Sequence, residues 1–236
     1  EHGGPDRWGV PRWDLSTGVN ALAPAKELGA RIAASDARRY PDPAYHALRA
    51  ELAARHGVAP HRILCAAGAS EFIQRITAMA ARARPGAVAI PRYAYGDYAR
   101  AARAHGLQVV ASDDPCATLR WSCEPSSPIG GDDPPTRIDS ARIDVLDAVY
   151  EPLRLDGFGS WTPVARDAVF VLHGPNKALG LPGVRGAYAI APAAPHWEPM
   201  IDALETAAPS WPLGAQAVTM LHAWCEAGTQ QVLDEQ

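Results

Sequence analysis

The chain has 236 residues, of which 47% are hydrophobic and 20% charged, and its formal net charge is -4 at pH 7. This length and composition predict a globular protein with one large domain, or one domain and an appendage. The 22 basic residues form no stripe that could follow a phosphate backbone, and no apolar run reaches the roughly 20 residues of a membrane span, so neither nucleic acid nor a membrane is an expected partner.

The first half of the chain predicts helices and strands in alternation. A capped helix is expected from Asp42-Pro43 to His56-Gly57, and a buried strand at 63–66. The small residues Gly68-Ala69-Ser70 then form a turn and cap before a helix over 71–84. A strand, a small-residue turn and a helix therefore follow one another directly.

The alternation continues to the end of the chain. Further strands are predicted at 87–90, 107–111, 121–123, 143–146, 170–173 and 187–191, with helices at 92–105, 201–207 and 215–227 and a loop at 126–135. This pattern predicts an α/β fold whose mostly parallel central sheet is covered by helices on both faces. Ligands in such folds bind beyond the carboxyl ends of the strands, so the residues at strand exits are the candidates for function.

The sequence contains none of the motifs that would indicate a metalloprotein or a dinucleotide-binding enzyme. The four cysteines form no CxxC pair and the eight histidines form no HExxH, so we expect ordinary thiols and no metal site. A dinucleotide-binding reductase is disfavoured because no GxGxxG follows the first strands. The amino-terminal residues do not resemble a secretory signal, and the expected location is the cytoplasm.

The most informative segment follows the strand at 170–173. It runs from Asn176-Lys177 to Gly183-Val184-Arg185 and resembles the Schiff-base lysine region of fold-type I enzymes that depend on pyridoxal phosphate (PLP). The resemblance implies that Lys177 holds the cofactor aldehyde and that Arg185 binds its phosphate, a role that suits a planar guanidinium. Without companions, the two residues would be typical of a solvated loop.

A second motif that resembles the same superfamily lies at an earlier strand exit. Asp147 ends the strand at 143–146 and Tyr150 follows it, which resembles the D-x-x-Y motif of the same superfamily. The resemblance implies that Asp147 pairs with the cofactor's ring nitrogen and that Tyr150 binds the ring hydroxyl oxygen. The alternative is an aspartate that caps the next turn.

Two more segments resemble the family's cofactor contacts. Gly68, Ala69 and Ser70 would form the phosphate cup at a helix N-terminus, although Ser70 could instead be only an N-cap. Tyr95, preferred to Tyr93 by its spacing from Gly106, would stack on the cofactor ring. An aromatic residue packed under a loop is the alternative.

The amino-terminal motifs resemble those of threonine-phosphate decarboxylases of cobalamin biosynthesis and of histidinol-phosphate aminotransferases. They are His2-Gly3-Gly4, the segment 14–20 and the segment 39–43. By this resemblance Asn20 lies in the substrate pocket and Tyr40 reaches the cofactor phosphate of a neighbouring subunit. A homodimer with shared active sites is therefore expected.

Three features depart from the family pattern. The segment 124–130 keeps the prolines and glycine of the family's N-P-N-N-P-T-G loop but none of its asparagines, so Ser127 stands where an asparagine would contact the ring oxygen. Gly174 occupies the place of a phosphate-binding serine or threonine. No arginine for a substrate carboxylate is identified.

The resemblance thus implies a PLP-dependent lyase or transferase that acts on an amino acid. Threonine-phosphate decarboxylase is the first expectation, histidinol-phosphate aminotransferase the alternative, and a cofactor-binding but inactive relative the third. The expected organisation is an arm and dimer segment at 1–40, a PLP-binding large domain at 41–205, and the start of a truncated small domain at 206–236.

Overall fold

The computed structural model describes residues 6–12, 16–22 and 26–236. The motif residues His2, Gly3, Gly4, Asp14 and Leu15 lie outside them. Helices and strands alternate in the described chain. Their bounds are α1 Lys26–Ala33, α2 His46–His56, β1 Ile63–Ala66, α3 Ala69–Ala83, β2 Ala87–Ile90, α4 Gly96–Ala104, β3 Gln108–Ala111, β4 Ala117–Cys123, β5 Ile143–Asp147, α5 Pro163–Arg166, β6 Phe170–His173, β7 Ala187–Ile190, α6 Glu198–Thr206, α7 Ala215–Cys225 and α8 Ala227–Glu235.

The seven strands form one sheet in the order β1-β7-β6-β5-β4-β2-β3. Strand β7 runs antiparallel to both of its neighbours, and all other adjacent strands are parallel. This confirms the predicted α/β fold with a mostly parallel sheet. Because β4, β5 and β6 are parallel neighbours, their carboxyl ends meet at one edge, where the candidate site residues follow.

Each face of the sheet has its own apolar core, because successive strand residues point to opposite faces. Leu64 of β1 packs with Phe72 and Ile76 of α3, in a core that also contains residues of α4 and α6. Its neighbour Ile63 packs on the other face with Leu52 of α2, together with residues of α1 and α7. The strand exits are thus held between two packed layers of helices.

Some predicted boundaries are wrong. Helix α2 begins at His46 rather than at Asp42-Pro43, because the Asp42 carboxylate accepts hydrogen bonds from the backbone N–H groups of Ala44 and His46 and Tyr45 adopts a left-handed φ of 51°. Helix α1 was not predicted. None of the described helices is long and apolar enough to cross a membrane.

Helix α3 begins one residue after Gly68, which is its N-cap. Ser70 lies inside the first turn, so the alternative that Ser70 serves as the N-cap is wrong. Helix α4 spans 96–104 and is shorter than the predicted 92–105. Its first residue directly follows Tyr95, which fixes that side chain at the same sheet edge as β5 and β6.

Candidate active site at the carboxyl ends of the central strands

The Lys177 side chain lies against two aromatic rings at the exit of β6. Its Nζ donates a hydrogen bond of 2.8 Å to the hydroxyl of Tyr150. The same nitrogen is 4.1 Å from the centroid of the Tyr150 ring and 5.9 Å from that of the Tyr95 ring. The structure therefore brings together three residues that are separated by up to 82 positions in the sequence.

The loop that carries Lys177 is fixed by its backbone. The N–H of Leu179 donates to the carbonyl of Pro175, and the N–H of Leu181 donates to that of Asn176 at 2.7 Å. Both Asn176 and Ala178, the neighbours of the lysine, are buried, whereas Lys177 is partly exposed. The loop thus presents the Lys177 side chain between two buried neighbours.

Asp147 ends β5 and is only 5% exposed. One carboxylate oxygen, Oδ2, accepts a 2.6 Å hydrogen bond from the Tyr98 hydroxyl, and Oδ1 accepts one of 3.0 Å from the backbone N–H of Val149. Burial raises the pKa of Asp147, while these two donors and the charge of Lys177 act in the opposite direction. Asp147 caps the following turn and is also placed in the site, so the two interpretations of this residue are compatible.

A candidate anion-binding turn lies at the start of α3. Gly68 has a φ of 150°, and a Cβ built there would come within 2.6 Å of Nη2 of Arg185. The guanidinium therefore lies directly over a backbone that only glycine allows. The first N–H groups of an α-helix have no partners within the helix, so Gly68, Ala69 and Arg185 together offer donors and positive charge to an anion.

Ser70 and Tyr95 connect this turn to the lysine. The Ser70 Oγ is 3.4 Å from the Tyr95 hydroxyl, and the Tyr95 ring faces Lys177 as described above. Tyr93, by contrast, is 54% exposed. The geometry favours Tyr95 as the aromatic residue of the site.

The loop after β4 forms one wall of a cavity of about 570 Å³. Ser126, Ser127 and Tyr150 line it, together with Gly18 and Arg154. The first residue of the altered loop, Glu124, is 4% exposed. Its carboxylate accepts hydrogen bonds from the Asp133 N–H, the Ser160 N–H and hydroxyl, and Arg154.

The amino-terminal segment is attached to the lysine loop through Asn20. Its backbone N–H donates to the Lys177 carbonyl at 3.0 Å, and its side-chain amide donates to the carbonyl of Ala178 and to the side chain of Gln236. These contacts give Asn20 a structural role. Its contact with a substrate stays a prediction.

Tyr40 projects from the surface and is 77% exposed. Its ring stacks on Trp211 with centroids 4.4 Å apart, and the Trp211 indole N–H donates to the carbonyl of Pro41. Tyr40, Trp211 and Arg185 line the same cavity of about 600 Å³. The contact of Tyr40 with a second subunit stays a prediction.

The replacement at Gly174 has a steric explanation. A Cβ at this buried position would lie 3.2 Å from a methyl group of Val149, which is tighter than ordinary contact. The serine expected there would therefore be crowded. Among the described residues, no group of three or more His, Cys, Asp and Glu side chains could hold a metal ion.

Sequence reasoning passed over two aromatic residues, Tyr98 and Trp211. Tyr98 lies three positions after Tyr95, and this spacing at the start of α4 places its ring against that of Tyr95. Nothing in the sequence around Tyr98 indicates that its hydroxyl pairs with Asp147 of β5. Trp211 has no local motif, because its contact with Tyr40 joins segments 171 residues apart.

Known proteins resemble this chain in sequence and in fold. A family model described as aminotransferase class I and II matches residues 13–115. A histidinol-phosphate aminotransferase of Ruegeria pomeroyi is 30% identical over 210 residues, which cover 75% of this chain and 56% of that protein. The chain spans between 30% and 57% of the length of the curated relatives it matches.

Solved structures share the fold at low identity. The histidinol-phosphate aminotransferase of Sinorhizobium meliloti in complex with pyridoxal-5'-phosphate superposes with a TM-score of 0.76 and 21% identity, over 93% of this chain and 65% of that one. The L-threonine-O-3-phosphate decarboxylase of Porphyromonas gingivalis gives 0.73 and 19%, over 91% and 69%.

Proposed function

We propose that this chain, of which residues 13–115 match the class I and II aminotransferase family model, binds PLP through Lys177 and transfers the amino group of a small amino compound. One observation carries the proposal: the Lys177 Nζ lies 2.8 Å from the Tyr150 hydroxyl, at the strand edge where Asp147 is buried. The remaining contacts of the site support the same assignment.

The residues present fit this cofactor. The cradle between Gly68 and Arg185 would be filled by a Cβ, so the glycine leaves room for an anionic group such as a phosphate. Asp147 offers a buried carboxylate, and Tyr150 offers a hydroxyl beside the lysine. Arg185 and the start of α3 would hold the phosphate, Asp147 the ring nitrogen, Tyr150 the ring oxygen, and Tyr95 one face of the ring.

When bound, PLP withdraws electrons from the substrate carbon that carries the amino group. Lys177 supplies the primary amine, and the Tyr150 hydroxyl holds its Nζ in one position. The Lys177 amine, once displaced by the amino group of the substrate, would remove a proton from the substrate carbon that carries that group and would later return it. Ser127 lines the cavity beside Tyr150, where it would contact the bound ring in place of the usual asparagine.

The relatives favour an aminotransferase over a decarboxylase. The three curated relatives are named histidinol-phosphate aminotransferase. The likeness to threonine-phosphate decarboxylase is one of fold. We therefore reverse the order expected from the sequence and propose a histidinol-phosphate aminotransferase-like activity, within a homodimer in which Tyr40 reaches the neighbouring site.

The test is a pair of assays on the protein loaded with PLP. With L-histidinol phosphate and 2-oxoglutarate, we expect glutamate to form. With threonine phosphate, we expect no release of carbon dioxide. Carbon dioxide release without glutamate would restore the decarboxylase, and a PLP-bound protein inactive in both assays would favour the inactive relative.

A further inference from the structure

We propose that Tyr98 is a positioning residue that holds the Asp147 carboxylate in the orientation needed to meet the cofactor's ring nitrogen. The proposal rests on the proposed function and adds to it a residue outside the motifs that identified the site. It is carried by one hydrogen bond, two ring contacts and the complete burial of the phenol.

The hydrogen bond joins two buried side chains from different elements. The Tyr98 hydroxyl, on α4, donates to Oδ2 of Asp147, at the end of β5, over 2.6 Å. Tyr98 is 0% exposed, and Asp147 is 5% exposed. Water therefore has little access to this pair, so the orientation of the carboxylate depends on its protein donors.

The Tyr98 ring is itself fixed on two sides. It stacks on Trp121 with centroids 4.4 Å apart and planes 7° apart. Its other contact is with Tyr95, edge to face, at 5.9 Å and 84°. Tyr98 thus contacts Tyr95 with its ring and Asp147 with its hydroxyl. One side chain therefore links the residue proposed to stack on the cofactor to the residue proposed to meet its ring nitrogen.

A phenol is suited to this task because it remains a donor. Burial and the adjacent Asp147 charge raise the pKa of Tyr98 well above its ordinary value, so the proton stays on the tyrosine. An ionised carboxylate accepts about four hydrogen bonds. Asp147 receives one from Tyr98 and one from the Val149 N–H, which leaves capacity for a ring N–H.

The experiment compares Tyr98→Phe with Tyr188→Phe. The first substitution removes only the oxygen and keeps the stacked ring. The control removes a similarly buried hydroxyl that pairs with His56 and accepts from Trp224, in the core on the other face of the sheet. Each variant is titrated with PLP and followed by the visible absorption of lysine-bound cofactor.

A second measurement is specific to the ring nitrogen. With isotope-labelled PLP, the NMR chemical shift of that nitrogen reports its protonation. We expect Tyr98→Phe to bind PLP about tenfold or more weakly than wild type, as is usual for the loss of a hydrogen bond to a charged group. We also expect the nitrogen shift to move toward the unprotonated value, while Tyr188→Phe keeps the wild-type shift.

The outcomes separate this inference from the proposed function. If wild type shows no absorption of lysine-bound PLP, the proposed function fails and the inference fails with it. If wild type binds PLP and Tyr98→Phe matches Tyr188→Phe in affinity and nitrogen shift, only the role of Tyr98 is overturned. Should Tyr98→Phe not fold, a fluorinated tyrosine at position 98 keeps the shape and strengthens the donor, and an unchanged nitrogen shift would then overturn the inference.

Discussion

Replacing Gly68 with alanine should impair the proposed anion-binding turn at the start of α3 more than it impairs the fold. Gly68 has φ 150° and ψ 166°, a region that essentially only glycine occupies, so alanine there should cost about 1–3 kcal/mol of unfolding free energy. The new Cβ would also meet Arg185 Nη2 at 2.6 Å, where ordinary contact begins at 3.4 Å. The guanidinium must therefore retreat from the turn.

The retreat should be measurable as a loss of phosphate binding. A hydrogen bond to a charged group contributes about 1.5–3 kcal/mol, so PLP affinity should fall roughly 10- to 100-fold. Pyridoxal, which lacks the phosphate, should lose much less. The assays are absorption titrations with PLP and with pyridoxal, and urea unfolding of the cofactor-free protein.

Gly57→Ala is the matched control. Gly57 also has a positive φ, 65°, but its Cβ would meet nothing within 4 Å. It should lower stability without changing PLP affinity. If Gly68→Ala binds PLP as tightly as Gly57→Ala does, or loses pyridoxal and PLP equally, the placement of Arg185 as a phosphate ligand is refuted.

Three further predictions concern other parts of the chain. Trp211→Ala removes the ring on which Tyr40 stacks and, in a dimer with shared sites, should weaken PLP binding severalfold. The control Trp8→Ala, which changes an exposed residue, should leave PLP binding unchanged. Equal PLP affinities of the two variants would contradict this prediction. Burial, Arg55 and Arg166 lower the pKa of His56 in the folded protein to about 4. As the pH falls from 6.5 to 4, His56 therefore takes up a proton in the unfolded chain but not in the folded one. The free energy of unfolding should decrease over this range by no more than about 3 kcal/mol. In urea unfolding, the free energy of unfolding of His56→Phe should depend less on pH than that of wild type. An unchanged pH dependence would show that His56 is not its cause. Glu124→Gln should lower the free energy of unfolding by roughly 1–3 kcal/mol, because Arg154 and the Ser160 N–H lose a buried carboxylate partner. The control Asp132→Asn should lower it less, since the Asp132 side chain is 58% exposed. Urea unfolding compares the two variants, and equal losses would contradict this prediction.

The sequence predicted those parts of the site that depend on local patterns. Lys177, Asp147 and Gly68 each follow a short apolar run, and the structure places each at a strand exit of the sheet. The fold class followed from the alternation of such runs with helical patterns. These features are encoded within a few residues, so reading them needs no knowledge of the tertiary contacts.

Contacts between distant segments could not be predicted. Tyr98 and Asp147 are 49 positions apart, and their pairing depends on how α4 packs against the sheet. The start of α2 was misplaced because Asp42-Pro43 looks like a helix start, while the Asp42 carboxylate instead closes a separate turn. In each case tertiary packing or a turn decided between structures that the local sequence allows equally.

The central claim is that Lys177 binds PLP covalently, and the chain suits a direct test because it has only two lysines, Lys177 and Lys26. The protein is incubated with PLP, reduced with borohydride, digested and examined by mass spectrometry. We expect the pyridoxyl group on the Lys177 peptide, whereas Lys26, exposed on α1, stays unmodified. Equal labelling of both lysines, or no label on Lys177, would contradict the account.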